Sequence, residues 1–143
     1  MSSDKEKVKA VMIIEVLGKP KEHLMETLED FAKKIAEEKR VKIVEKKIKE
    51  PVLLKDQKDF FTSYMEVEVE LDEIFLLSGL MFKYMPAHIE ILSPENLILS
   101  NNDFGSILNE LTRRLHGYDE IVRVVQAEKK ILENQLKAVK EKK

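Results

Sequence analysis

The chain has 143 residues, 43% of them hydrophobic and 36% charged, with a formal net charge of −2. That size and balance fit one ordinary domain with a buried core plus an appendage, and the slight acidic excess argues against a protein whose main work is gripping a phosphate backbone. Cysteine is absent, which excludes disulfides, thiolate nucleophiles, zinc ribbons and iron–sulfur clusters.

Residues 10–17, "AVMIIEVL", form a nearly continuous apolar run ending at Gly18 and Pro20, as expected of a central strand. From Lys21 to Glu38 the apolar residues Leu24, Leu28, Phe31 and Ile35 recur at spacings of four, three and four, which predicts a surface helix with one buried stripe. Residues 41–48, "VKIVEKKI", are rich in β-branched residues and partly alternating. The stretch "EPVLLKDQKD" that follows reads as a loop, and its Pro51 rules out a central strand.

Residues 60–71 alternate cleanly, with Phe61, Ser63, Met65, Val67, Val69 and Leu71 facing one way and Thr62, Tyr64, Glu66, Glu68 and Glu70 the other. Asp72 is placed to cap a second helix, "EIFLLSGLMFKYM", which stops before Pro86 and is apolar nearly all round. Residues 87–92, "AHIEIL", alternate again. In "SPENLILSNND", residues 93–103, a turn at Ser93–Asn96 and a short extended "LIL" lead to a helix cap at Asn102 or Asp103. The order strand, helix, strand, strand, helix, strand predicts a ferredoxin-like split β-α-β-β-α-β fold, an antiparallel sheet with its two longest, most apolar strands in the middle.

Beyond it, Phe104, Leu108, Leu111, Leu115, Tyr118, Val122, Val125, Lys129, Leu132, Leu136 and Val139 keep an unbroken four-three spacing. A sustained heptad predicts a long helix with a coiled-coil-like seam. The register passes unshifted through Gly117, so one helix is preferred over a hairpin. Roughly 38 residues at about 1.5 Å each reach almost 60 Å, against about 25–30 Å for a core of this size. The expected division is therefore a core over 1–101 and a helical arm over 102–143. Its proximal half is expected to cover the second helix, and its stripe to narrow beyond Gln126. The residues expected to meet a partner helix are Leu115, Tyr118, Val122, Val125, Leu132, Leu136 and Val139.

Little else in the chain carries chemistry. His23, His88 and His116 fall in no metal-ligand spacing. Arg113, Arg114 and His116 lie in "RRLHGYDE" and form a candidate anion or ligand cluster, although arginine and acid at helical spacing more often pair with each other. Glu66, Glu68 and Glu70 are read as a charge ladder with Lys42, Lys46, Lys47 and Lys49 of the neighbouring strand rather than as catalytic carboxylates. The basic stretch 39–49, "KRVKIVEKKIK", is the best case for weak nucleic-acid binding, but the glutamates beside it would repel phosphate. No phosphate-cradling or nucleophile-elbow motif occurs. No cofactor, metal or catalytic residue is expected.

No apolar run approaches the roughly 18 residues of a membrane span, and "MSSDKEKVK" has no signal-like apolar stretch, so a cytoplasmic protein is expected. Dominance of Glu and Lys with scarce Gln and no Trp matches the composition of thermophile proteins. "VMIIEVLGKPKEHLMETLE", "IEILSPENL" and "LNELTRRLHGYDEIVRVVQAE" resemble a family of small, uncharacterised archaeal proteins, a resemblance that implies no known activity. In topology the core also resembles ACT-type regulatory domains, which carries no site residues across. The expected function is a non-enzymatic homo-oligomer, most simply a dimer, that self-associates or recruits a protein partner through the arm. The alternatives are an ACT-like small-ligand sensor and a weak nucleic-acid binder.

Overall fold

A computed structural model describes residues 6–56 and 58–142 of the protein. Eight elements follow one another: β1 (Val8–Gly18), α1 (Lys21–Glu37), β2 (Val41–Ile48), β3 (Val52–Leu53), β4 (Phe61–Leu71), α2 (Phe75–Tyr84), β5 (His88–Ser93) and α3 (Asn101–Glu141). The chain divides into two compact units, one ending at Ser100 and one beginning at Asn101. The first is the ferredoxin-like body, and the second is the single helix α3.

In the body the strands are ordered β2-β4-β1-β5, all antiparallel, with β3 also on β4. The two 11-residue strands, β1 and β4, hold the centre and pair from Val8–Leu71 to Gly18–Phe61. Their alternation sorts the side chains. Ala10, Met12 and Ile14 of β1 and Met65, Val67, Val69 and Leu71 of β4 are buried, as are Leu24, Leu28, Ala32 and Ile35 of α1. Apolar residues at helix period thus meet apolar residues at strand period, and this layer is the core.

Three details differ from expectation. The segment after β2 is not wholly a loop, because Val52 and Leu53 pair with Thr62 and Phe61 and continue the edge beside β4. Pro51 is accommodated because an edge strand need not donate outward. Helix α2 starts at Phe75, and Asp72 does not cap it: its backbone N–H still donates to the Arg40 carbonyl at 3.2 Å, and its carboxylate faces Arg40 at 3.3 Å and Lys7 at 3.8 Å. Helix α3 starts at Asn101, so Asn102 and Asp103 lie within its first turn and Ser100 holds the position before it.

The charge ladder also changes. The pairing of β2 with β4 shifts between Ile43 and Glu45, and the extra residue of this bulge reverses the alternation beyond it. Lys42 still lies opposite Glu70 and Lys47 opposite Glu66, but Glu45 lies opposite Glu68. Lys46 turns to the helix face, where its ammonium meets Glu29 of α1 at 2.6 Å.

One polar tie joins the two body helices. The Glu38 carboxylate accepts hydrogen bonds from Lys83 Nζ at 2.5 Å and Tyr84 Oη at 2.8 Å, while the Tyr84 ring packs edge-on against Phe31. Lys83 holds the Glu38 carboxyl below the ordinary 4.5, outweighing partial burial; burial and the Glu38 contact push the Tyr84 phenol up. A carboxyl depressed in the folded state stabilises above its unfolded value and loses that contribution as pH falls through the folded one. Glu38→Gln is expected to cost about 1 kcal/mol at neutral pH, discounted for the exposed lysine. In denaturant titrations its deficit should close as pH falls below 4.5.

Candidate functional site

The residues set apart by the structure lie on α3, one uninterrupted helix of 41 residues. It spans about 62 Å at ~1.5 Å per residue. Gly117 lies inside it without ending it, and a methyl group there would meet nothing within 4 Å. Gly117→Ala is therefore expected to stabilise α3 by about 1 kcal/mol, read as slower amide exchange across residues 113–121.

No residue of α3 is buried. All seven predicted seam residues, Leu115, Tyr118, Val122, Val125, Leu132, Leu136 and Val139, are exposed, between 40% for Tyr118 and 63% for Leu132. Phe104 and Leu108 extend the row toward the start of the helix. Ile121, Val124 and Ile131 are also exposed and lie beside the two seam positions. Val124 and Ile131, seven residues apart, add a flank beside Val125 and Leu132. Attention to the two seam positions alone missed that flank, although adjacent apolar pairs in "EIVRVVQAEKKIL" carry the signal. Lys129 stands in the row and reaches Glu133 at 3.8 Å, an exposed pair worth a few tenths of a kcal/mol.

The candidate anion cluster resolves into separate parts. Arg113 holds the Glu110 carboxylate through Nε at 3.2 Å and a terminal nitrogen at 2.8 Å, and Arg114 Nε reaches it at 2.9 Å. The two guanidiniums draw the Glu110 carboxyl below the ordinary carboxylate range. His116 is exposed on the same helix, and Asp119 pairs with Arg123 at 3.1 Å. The carboxylate the two arginines share, Glu110, lies one turn before the stretch "RRLHGYDE". His23 and His88 are exposed on α1 and β5. Among the described residues no three His, Asp or Glu side chains converge as a metal would require.

The basic stretch 39–49 is likewise partly compensated. Arg40 meets Asp72 and Glu73, Lys46 meets Glu29, and Lys47 meets Glu45 at 3.8 Å. Electrostatic grip on a phosphate backbone needs cations available to release counterions, and these are set against carboxylates.

One comparison with known proteins is decisive. The model of the MJ0538 family matches residues 9–141, which takes in the body from the second residue of β1 onward and all of α3. The chain belongs to the MJ0538 family. This is an archaeal family of uncharacterised function, and the three stretches that resemble such proteins fall within the matched span. Neither a curated protein nor a solved structure matches the chain. For this MJ0538-family member no helix among the described residues is long and apolar enough to cross a membrane.

Proposed function

We propose that the protein is a non-enzymatic association module, a cytoplasmic homo-oligomer, most simply a dimer, built by self-association through α3 in a coiled-coil-like contact. The observation that carries this reading is the row of large apolar side chains left exposed along α3. An isolated helix draws little stability from propensity alone and depends on packing its apolar face, and contiguous exposed apolar patches mark interaction surfaces. The four-three spacing is the pattern a second helix fills. The Lys- and Glu-rich composition without cysteine supports a heat-tolerant host. Light scattering tests the reading on the intact chain and on one ending at Gln126. A multiple of the 16.7 kDa chain mass that falls to a single chain after truncation is the expected result. A monomer at micromolar concentration before truncation would refute it.

A further inference from the structure

We infer that the occupant of the α3 seam is the α3 helix of a second copy running antiparallel, in a register centred at Glu120 that sets Ile121 beside its own copy. The inference rests on the self-association reading and adds orientation and register to it. Three observations on the helix carry it: the polar residue within the seam, the charges that flank it, and its length.

The seam residues fall into two alternating sets, one containing Leu115, Val122, Lys129 and Leu136, the other Tyr118, Val125, Leu132 and Val139. In a parallel, in-register pair each residue meets its own copy. Lys129 would then meet Lys129, bringing two ammonium groups together inside an apolar layer. In an antiparallel pair each set meets the other. In the register centred at Glu120, Lys129 lies against Leu111, so its stem packs on an apolar side chain while its head reaches solvent.

The flanking charges give the same preference. In the parallel arrangement Arg114 faces Asp119, which is favourable, but Glu128 faces Glu133, which repels, and each contact occurs twice. In the centred antiparallel arrangement Arg114 faces Glu128 of the other copy, twice, and Ile121 meets Ile121 across the twofold axis. Arg114 commits only its Nε to Glu110, and a guanidinium offers five N–H donors, which leaves terminal nitrogens for Glu128. The one like-charge contact in this arrangement is Asp119 with its copy at the axis, where each carboxylate already pairs with Arg123 at 3.1 Å. Ile121 is 60% exposed and would face Gln126 in the parallel pair.

Length completes the argument. Residue 121 is the midpoint of Asn101–Glu141, one residue from the centre at Glu120, so the register chosen by charge also uses nearly the whole helix. Leu136 then falls opposite Phe104 and Val125 opposite Leu115. Val124 and Ile131 remain on the outer flank, placed for contact between two such pairs.

The chain lacks cysteine, so an introduced thiol has no competitor, and a disulfide forms only where Cα atoms approach within about 7 Å. Under mild oxidation of the full chain, Ile121→Cys is expected to give a covalent dimer at least about tenfold faster than Leu136→Cys, because facing thiols act at millimolar effective concentration. Leu136→Cys mixed with Phe104→Cys is expected to give a mixed dimer. Self-crosslinking of Leu136→Cys with none by Ile121→Cys would overturn the antiparallel assignment while leaving self-association intact. Light scattering of the unmodified chain reads the underlying proposal separately. A mass of two or four chains supports antiparallel pairs, three chains overturns the pairing, and one chain overturns both proposals.

Discussion

Ending the chain at Gln126 is expected to leave a monomer whose body melts as the intact protein does. The truncation removes Ile131, Leu132, Leu136 and Val139, each more than half exposed in the single chain. Fully burying such a side chain is worth roughly 1.5–3 kcal/mol, so about 1 kcal/mol remains to be gained at each position. Across both helices of a pair this is on the order of 8 kcal/mol. Losing even half of it weakens a dimer by about a thousandfold, at ~1.4 kcal/mol per tenfold. The buried hydrophobic residues all lie between Val8 and Tyr84, so the body's own unfolding should not respond. Sedimentation or light scattering reads the mass, and circular dichroism reads the melt. A truncated chain that still associates would place the contact elsewhere, and the exposed face of the sheet would become the surface to probe.

Leu28→Ala is expected to do the reverse, lowering the body's stability by about 2–5 kcal/mol while leaving the oligomer intact wherever the chain is folded. Leu28 is fully buried at the middle of α1, within the core cluster that joins this helix to β1 and β4. A close-packed layer cannot collapse fully around a missing isobutyl group, so the cost includes a cavity as well as lost transfer energy. For a body of about 100 residues this lowers Tm by roughly 8 °C or more, at 4–8 °C per kcal/mol. An unchanged Tm would contradict the packing of α1 on the sheet. Together the two variants separate what holds the body from what joins the copies.

Much of the fold is legible in the sequence because its periodicities are clean. The alternation from Phe61 to Leu71 and the spacing of Leu24, Leu28 and Ile35 each correspond to one face of one element, and those faces are buried. The heptad from Phe104 to Val139 marks a helix that indeed runs unbroken from Asn101 to Glu141. The less legible parts are those where a neighbour decides. Val52 and Leu53 are too short a run to read as a strand and become one because Thr62 and Phe61 offer a free edge. Asp72 has the chemistry of a helix cap but its backbone N–H is held by the Arg40 carbonyl, and the helix starts later, at Phe75. The partner of Arg113 and Arg114 lay just upstream of the stretch singled out, at Glu110, where the usual helical spacing applies.

By itself the sequence determined the order of the long elements, the buried faces of β1, α1 and β4, the absence of thiol chemistry and the approximate length of the terminal helix. These follow from side-chain period and composition, which are properties of the chain alone. Only the tertiary structure decided the bulge between Ile43 and Glu45, which sends Lys46 to Glu29 and sets Glu45 against Glu68. Only the structure joined Glu38 to Lys83 and Tyr84 across 45 and 46 residues of chain. A bulge and a long-range ion pair depend on which strand or helix lies alongside, and no local pattern encodes its neighbour.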